Sequence, residues 1–412
     1  MLGFLTMIAT TPALAQTFTI LHYFTGGADG SDPVAGVTIG GGGILYGTTF
    51  EGGNGTVGAV FKLAQQGSGW TLAPLYEFTY GSDGYQPEGP LTVGPDGAVY
   101  GTTKYGGSGS GSAGTVFKVQ PPPSRCHTVT CFWSETVLHS FLGGANDGSG
   151  PTSTNLVFDQ AGNLYGTTEY GGSGSGGECF GGCGTVFELS PSSGGWTFSV
   201  IHSFQYNGID GTMPQYGVIL DPAGNLYGTT EYGGNASGQY GGGTAFEMSP
   251  SGGTWTEDIL YNYPSWEDGS PSQPGPLIRD ASGNLYGTTE FPAQGAETIF
   301  ELTPSDGSWR FSTLYTFGNC SPQPLALDTA GNLYGACAVG GQNNDGWVFE
   351  LTNHGGAWTV TDLHDFMGSD GYIPVGPVVL DSSGNLYGTT TLGGTLGGCA
   401  GEGCGVVWEI TP

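Results

Sequence analysis

A Leu/Val-Tyr-Gly tripeptide recurs along the chain at intervals of 48 to 65 residues. Its seven tyrosines are Tyr46, Tyr100, Tyr165, Tyr227, Tyr286, Tyr334 and Tyr387. Self-similarity at such a period is typical of proteins built from one repeated structural unit, in which each unit buries its apolar surface against the next. The 412 residues are therefore interpreted first as seven copies of one unit.

Each copy contains four strand-length apolar segments separated by turn residues. In the third copy we label them A (residues 156–159), B (163–168), C (185–189) and D (196–204). The A–B link Asp-Gln-Ala-Gly-Asn, residues 159–163, suits a tight β-turn. Four short strands per repeat are the pattern of one propeller blade. The sequence thus predicts an all-β, seven-bladed β-propeller with four antiparallel strands per blade.

Three further features suggest how the strands are arranged. The chain begins with a D-type segment, residues 18–24, and ends after a C-type segment, residues 406–410, so we expect the N-terminal strand to complete the last blade and close the ring. Proline stands at the start of A, as at Pro276 and Pro377, which predicts that A is the innermost edge. The glycine of Tyr-Gly-Thr-Thr lies within strand B, and we expect the neighbouring blade to press against it.

The phrase Asp-x-x-Gly-Asn-Leu-Tyr-Gly-Thr-Thr occurs at residues 159–168, 221–230, 280–289 and 381–390, in register with the Val-Phe-Glu-Leu type C strand. It resembles the GloVer tandem-repeat family of exported bacterial proteins, and the resemblance extends over nearly the whole mature chain. The resemblance implies propeller-like repeats and export, and it supplies no reaction. Many members of that family carry a C-terminal sorting anchor, from which this sequence departs.

The first 15 residues are predicted to be a signal peptide, because an apolar stretch ends in Ala13-Leu14-Ala15. The stretch lacks a basic beginning, as a truncated start would. Residues 16–412 then form a single propeller domain, secreted to the extracellular space or the periplasm. No later run of about 18 apolar residues predicts a membrane span.

Eight cysteines form four local pairs, and an even number of cysteines in an exported chain favours disulfides. The predicted disulfides join Cys126 to Cys131, Cys179 to Cys183, Cys320 to Cys337 and Cys399 to Cys404. No histidine is spaced to complete a zinc site beside any pair.

The chain has 6 Lys and Arg against 35 Asp and Glu, a net charge of −29. Binding to nucleic acid or anionic lipid depends on basic side chains, so both partners are excluded. Cations, neutral glycans and basic proteins remain open, as does the interpretation that the charge only keeps the protein soluble.

Strand direction predicts that the D–A and B–C loops emerge on one face, opposite the A–B turns. The B–C loops carry predicted ligand-binding residues Glu169, Tyr170, Glu231, Tyr232 and Glu290. The D–A loops carry Asp-Gly pairs at Asp29, Asp83, Asp147, Asp210, Asp268 and Asp370, of which the last four are the predicted calcium ligands. Alternatively, tyrosines stack on sugar rings, or the acidic residues only form turns and bind water.

No motif predicts a catalytic residue. Four histidines, His22, His139, His202 and His364, share a position with Tyr76, Tyr261 and Tyr315, which predicts an aromatic role between blades. We therefore expect a monomeric, extracellular, non-catalytic binding propeller, stabilised by Ca²⁺, with a glycan or protein partner. The alternative is a metal-assisted hydrolase, lactonase or lyase using rim carboxylates at the channel mouth. Acids near the axis that break the sevenfold pattern would favour the enzyme.

Overall fold

The computed structural model describes residues 16–53, 57–109, 112–122, 133–176, 179, 181–235, 241–265, 272–290, 297–394 and 399–412. Within these residues, seven antiparallel sheets are arranged as a seven-bladed β-propeller, which confirms the predicted fold class, and two further two-stranded ribbons lie in the loops.

The strands are numbered β1 to β33 along the chain, and each blade is described from strand A to strand D. Blade 1 contains β2 (Val37–Ile39), β3 (Leu45–Thr49), β4 (Ala59–Gln66) and β5 (Gly69–Glu77). Blade 2 contains β6 (Thr92–Val93), β7 (Val99–Thr103), β8 (Thr115–Gln120) and β9 (Ser134–Ser140). Blade 3 contains β11 (Val157–Phe158), β12 (Leu164–Thr168), β14 (Thr185–Ser192) and β15 (Gly195–Ser203). Blade 4 contains β17 (Ile219–Leu220), β18 (Leu226–Thr230), β20 (Thr244–Ser251) and β21 (Thr254–Asn262). Blade 5 contains β22 (Ser272–Pro274) and β23 (Ile278–Arg279), which both pair with β24 (Leu285–Glu290), followed by β25 (Thr298–Ser305) and β26 (Ser308–Thr316). Blade 6 contains β27 (Ala326–Leu327), β28 (Leu333–Cys337), β29 (Trp347–His354) and β30 (Ala357–Asp365). Blade 7 contains β31 (Val379–Leu380), β32 (Leu386–Thr390), β33 (Val406–Thr411) and β1 (Thr17–Tyr23).

The N-terminal strand β1 closes the ring. It pairs antiparallel with the C-terminal strand β33, from Thr17 opposite Thr411 to Tyr23 opposite Val406. Blade 7 therefore obtains its outer strand from the other end of the chain, as the sequence predicts. Residues from both ends of the chain, including Leu21, Phe24 and Val407, pack together with Phe61 of blade 1 in one apolar cluster.

The glycine within strand B is covered by its own blade. A Cβ atom added at Gly166 would lie 2.7 Å from the ring of Phe187 and 2.8 Å from Leu156. Phe187 is directly opposite Gly166 on strand C, and the other six B-strand glycines face the corresponding Phe or Trp. The expectation that the neighbouring blade presses against this glycine is therefore wrong. An aromatic ring lies across the strand pair and needs a position without a side chain.

The A–B turn is organised by its first aspartate. The carboxylate of Asp159 accepts hydrogen bonds from the backbone N–H of Ala161 and Asn163 and from the Tyr165 hydroxyl, at 2.8 to 3.2 Å. Equivalent bonds recur at Asp221 and Asp381. The repeated Asp-x-x-Gly-Asn-x-Tyr phrase is therefore a turn that also fixes the tyrosine ring.

Neighbouring blades are joined by aromatic contacts. Trp196 of blade 3 packs edge-on against Tyr100 of blade 2, with ring centroids 6.3 Å apart, and Trp255 packs in the same way on Tyr165 at 5.7 Å. Such pairs add about 0.5–1.5 kcal/mol beyond their buried area. The apolar core therefore lies between blades rather than within a single sheet.

Three of the four predicted disulfides are present in the described residues. They join Cys179 to Cys183, Cys320 to Cys337 and Cys399 to Cys404.

The fourth predicted disulfide is not among them. Cys126 and Cys131 both lie outside the described residues, so the structure does not show a bond between Cys126 and Cys131. The pairing of Cys131 with Cys126 therefore stays a prediction.

Helices are short. Among the described residues, two 3₁₀ helices occupy Gly41–Gly43 and Cys399–Gly401. In the part of the chain that the structure describes, no helix has the length and apolar character needed to cross a membrane.

Candidate functional site at the channel mouth

Two short ribbons show which loops share a face. β10 (Gly148–Ser149) in a D–A loop pairs with β13 (Tyr170–Gly171) in a B–C loop, and β16 (Gly211–Thr212) pairs in the same way with β19 (Tyr232–Gly233). Both loop types therefore emerge together, opposite the A–B turns. We call the surface that they form the rim face.

The aspartates of the D–A loops bind their own loops. The Asp147 carboxylate accepts hydrogen bonds from the backbone N–H of Leu142 and Gly148 and lies 3.0 Å from Nε2 of His139. Asp370 contacts His364 and the N–H of Met367, and Asp83 contacts Tyr76 and Thr79. A cation at these carboxylates would have to compete with these hydrogen bonds. Calcium binding at these residues stays a prediction.

The predicted calcium ligand Asp268 lies outside the described residues. For Asp370, burial alone would raise the pKa of the carboxyl group, but the hydrogen bonds from His364 and Met367 and the charge of His364 outweigh burial and lower it. The aspartate is thus held in its ionised form by the aromatic residue of strand D.

The histidines of strand D pack between blades, as predicted. The imidazole of His139 stacks on Phe198 of the next blade, with ring centroids 3.8 Å apart. His364 stacks on Phe18 at 3.6 Å. These histidines combine one polar contact to an aspartate with one apolar contact to a neighbouring blade.

One ring of residues breaks the sevenfold pattern. It consists of the residue that follows the end of each B-strand Tyr-Gly-Thr-Thr phrase or its equivalent, and we call it the mouth ring. In blade order it reads Phe50, Lys104, Glu169, Glu231, Glu290, Ala338 and Thr391. Three predicted ligand-binding glutamates thus lie in consecutive blades, while the blades on the other side supply uncharged residues.

Burial and mutual repulsion raise the pKa of two of these glutamates. For Glu290, burial is the larger cause and the charges of Glu231 and Glu297 add to it. For Glu231, burial and the charge of Glu169 outweigh the hydrogen bonds that lower its pKa. The acidic side of the mouth ring therefore carries more negative charge than its surroundings compensate.

The glutamates differ in their contacts. Glu231 accepts hydrogen bonds from the side-chain amides of Gln215 and Gln273, the latter at 3.2 Å. Within the described residues, the Glu290 carboxylate receives no hydrogen bond. The predicted tyrosines bond to their preceding glutamates, Tyr170 to Glu169 and Tyr232 to Glu231. Among the glutamates of the mouth ring, Glu290 is thus the one whose carboxylate, within the described residues, could accept a donor from a ligand.

Lys104 is already paired. Its ammonium group lies 2.9 Å from Glu88. Burial alone would lower the pKa of Lys104, but the bond to Glu88 and the charges of Glu88, Tyr105 and Glu169 outweigh burial and raise it. The positive charge in the mouth ring is therefore neutralised locally and leaves the carboxylates of Glu231 and Glu290 uncompensated.

An axial cavity of about 550 Å³ opens beside these residues. Side chains from all seven blades line it, and apolar residues predominate, among them Val37, Ile219, Leu277 and Val379. Val37, Ile219 and Val379 belong to A strands, which places strand A innermost as predicted. Glu88 and Glu290 are the acidic residues of the lining. The cavity thus combines an apolar body with two carboxylates, of which Glu88 is paired with Lys104.

An aromatic patch that was not predicted from the sequence lies on the rim of blade 2. Tyr80, which is 63% exposed, packs on Tyr85 with ring centroids 4.8 Å apart, and Tyr85 stacks on Tyr105 at 5.5 Å. Tyr105 corresponds to Tyr170 and Tyr232, so comparison of the repeats would have found it. The patch offers ring faces to a sugar, and glycan binding there stays a prediction.

Solved structures show the same fold at low sequence identity. A protein described as a 6-phosphogluconolactonase from Bacteroides uniformis matches with a TM-score of 0.50 and 14% identity, over 80% of this chain and 83% of that one. Puromycin hydrolase matches with a TM-score of 0.56 and 10% identity, over 88% of this chain and 50% of that one. A protein of unknown function from Dyadobacter fermentans matches with a TM-score of 0.50 and 9% identity, over 96% and 99%.

These structural similarities support the propeller fold and no particular reaction. No curated protein matches the chain. The sequence profile described as the Gloeobacter/Verrucomicrobia repeat matches residues 6–235, 134–326 and 298–412, so it extends over nearly the whole sequence.

Proposed function

The chain belongs to the Gloeobacter/Verrucomicrobia repeat family, and we propose that it is an exported binding propeller without a catalytic centre. Its ligand is a small organic cation with an apolar body, held in the axial cavity. The three disulfides are compatible with an oxidising, extracellular or periplasmic location.

The asymmetry of the mouth ring carries this proposal. Glu169, Glu231 and Glu290 occupy three consecutive blades, whereas Ala338, Thr391 and Phe50 occupy the opposite side. Carboxylates only accept hydrogen bonds, so the acidic side suits an ammonium or guanidinium donor. Burial, together with the charges of Glu231 and Glu297, raises the pKa of Glu290, so a cation bound there would stabilise its ionised carboxylate.

The size of the cavity supports a small molecule. Its volume of about 550 Å³ lies within the range of about 300–1,000 Å³ that is common for ligand pockets. The apolar lining favours a hydrocarbon or aromatic body, and Glu290 at one side favours a positively charged end. An anionic ligand would meet the glutamates of the mouth ring, so a phosphorylated substrate like that named for the Bacteroides protein is disfavoured.

Hydrolysis is the second candidate function. Carboxylates at the cavity that break the sevenfold pattern are the feature expected of an enzyme, and a glutamate with a raised pKa is suited to donate a proton. Metal-assisted chemistry there would need several ligands to converge. Within the described residues, the mouth-ring glutamates do not form a group of three donor atoms lying within 4.8 Å of one another. This spread favours binding over metal-assisted hydrolysis.

Calorimetric titration with three matched six-carbon probes tests the proposal. Hexylammonium carries a positive charge and N–H donors, hexanol is neutral and hexanoate is negative. We expect the ammonium compound to bind most tightly, and Glu290→Gln to weaken its binding by about tenfold, which corresponds to about 1.4 kcal/mol. The control Asp306→Asn removes the same charge from an exposed C–D turn and should leave binding unchanged.

Equal affinity for the three probes, or equal binding by Glu290→Gln and the unsubstituted protein, would refute a cation site at the mouth ring. Release of acid from a six-carbon lactone by the protein, abolished by Glu290→Gln and retained by Asp306→Asn, would instead support the hydrolase.

A further inference from the structure

Outer strands of neighbouring blades meet at one repeated position. Its first member is the histidine or tyrosine near the end of strand D. Its second member lies on strand D of the next blade, four residues before the equivalent histidine or tyrosine of that blade. Phe198 stacks on His139 there, Phe311 on Tyr261 and Phe18 on His364. This junction is therefore apolar where its second member is a phenylalanine.

Between blades 3 and 4 the second member is Glu257. Nε2 of His202 lies 3.5 Å from one oxygen of Glu257 and 3.3 Å from one oxygen of Asp210. One donor atom from each of the three side chains falls within 4.8 Å of the others. A glutamate replaces the stacking ring, so a polar cluster stands where Phe18, Phe198 and Phe311 make the equivalent junctions apolar.

Asp210 is also bonded differently from its counterparts. In Asp83 and Asp147 both carboxylate oxygens accept hydrogen bonds. In Asp210, Oδ2 accepts the N–H of Gln205 and lies near His202, and the carboxyl group contacts that of Glu257. Asp210 is 5% exposed, so two ionised carboxylates here would carry a desolvation cost that a bound cation would offset.

The carboxyl group of Glu257 also makes a side-chain hydrogen bond with that of Asp210. Two carboxyl groups and one imidazole therefore converge in a partly buried site. The same arrangement of charge with no counter-ion would be unfavourable, because two acids lie close together.

We propose that His202, Asp210 and Glu257 bind a zinc-class divalent cation at the junction of blades 3 and 4. Zinc bonds to nitrogen and oxygen at about 2.0–2.2 Å, so tetrahedral ligand atoms lie about 3.3–3.6 Å apart. The separations of 3.3 and 3.5 Å around His202 match that spacing. Three protein ligands leave a fourth position for water.

The imidazole decides which cation is bound. Calcium takes six to eight oxygen ligands and magnesium prefers a nearly octahedral oxygen shell, whereas imidazole with carboxylates suits Zn²⁺ or Co²⁺. This site is distinct from the calcium predicted for the D–A aspartates, although it uses Asp210. It ties the outer strands of two blades together without a disulfide.

Titration of the EDTA-dialysed full-length protein with Zn²⁺ at neutral pH tests the site. We expect one Zn²⁺ per chain, and we expect Co²⁺ to give the visible absorption bands of a tetrahedral complex. Glu257→Gln and His202→Gln should each weaken Zn²⁺ binding by at least about tenfold. Neither Ca²⁺ nor Mg²⁺ should compete at millimolar concentration.

The repeats provide matched controls. Glu135→Gln changes the equivalent glutamate of blade 2, which faces Tyr76 rather than a histidine, and His139→Gln changes a histidine that faces Phe198. Both should retain the Zn²⁺ stoichiometry and affinity. Circular dichroism melting of each metal-free variant verifies folding. Zinc binding that is absent, that survives in both site variants, or that falls equally in the controls would overturn the proposal.

Discussion

The phenyl ring of Phe18 lies flat against the imidazole of His364, with centroids 3.6 Å apart and planes 3° from parallel. Phe18 belongs to the N-terminal strand of blade 7, and His364 belongs to the outer strand of blade 6. The same contact joins His139 to Phe198 inside a continuous part of the chain. Closure of the ring therefore reuses the ordinary contact between blades.

We expect Phe18→Ala to destabilise the protein by about 1–3 kcal/mol, because it removes the stacked ring and leaves a cavity beside Phe366 and Trp408. Thermal melting followed by near-ultraviolet circular dichroism measures the loss. The exposed neighbour Thr19 on the same strand provides the control Thr19→Ala, which should melt like the unsubstituted protein. Equal melting of both variants would mean that Phe18 does not hold blade 7 to blade 6.

Alanine in place of the B-strand glycine should be harmful in spite of its small size. The added methyl of Gly166→Ala would lie 2.7 Å from Phe187, so the ring must move, at a cost of about 1–3 kcal/mol. In the same blade, Gly194 has open space around it, so Gly194→Ala is the matched control. Urea unfolding should show a lower midpoint for Gly166→Ala alone, and an unchanged midpoint would contradict the crossing of the ring over the strand.

Glu135 predicts a pH-dependent stability. Burial, assisted by the charge of Asp83, raises its pKa to about 7, and one of its carboxylate oxygens is buried without a hydrogen-bond partner in the described residues. The folded protein thus holds this proton more tightly than the unfolded chain. The stability from protonated Glu135 is complete below its ordinary pKa of about 4.3 and is lost as the pH rises through about 7.

Glu135→Gln should therefore match the unsubstituted protein at pH 4.5 and exceed its stability at pH 8.5 by about 1–3 kcal/mol. Unfolding in urea at the two pH values measures the difference. The exposed substitution Asp306→Asn should show no such change between the two pH values. A variant that is less stable at pH 8.5 would show that ionised Glu135 is favourable in the fold.

The predicted calcium sites can be tested by melting. If Ca²⁺ binds the D–A aspartates, a concentration of about 100 Kd stabilises the fold by about 2.7 kcal/mol and raises Tm by at least about one degree. EDTA and NaCl of equal ionic strength are the controls, and Mg²⁺ should act less. A shift no larger than that from NaCl would leave Asp147 and Asp370 as turn residues that bind only their own loops.

Much of the fold could be predicted because the same strand and turn motifs recur in every blade. The Leu-Tyr-Gly-Thr-Thr strand, the aspartate at position 159 and the unmatched D-type strand at residues 18–24 indicate the blade, its turn and its closure. The prediction that a neighbouring blade covers Gly166 was wrong, because the sequence does not show which residue of strand C lies opposite this glycine. The strand register places Phe187 there, and its ring covers the glycine.

The site could be predicted in part. Glu169, Glu231 and Glu290 were found from their repeated place, and alignment of the mouth ring would also have shown that Ala338 and Thr391 oppose them. The contact of His202 with Glu257 could not be foreseen, because the two residues are 55 positions apart and meet only through the stagger between blades. The contact between the carboxyl groups of Asp210 and Glu257 depends on loop geometry that composition does not contain.

The pairing of Thr17 with Thr411 places the two strand ends side by side, at a point where five other blades turn through a two-residue hairpin. A short peptide joining residues 412 and 17 would therefore supply one more such hairpin, and the chain could be opened instead between Gly252 and Gly253. Every strand pair would persist in that circular permutant. The closed ring therefore does not require synthesis to begin at a particular blade.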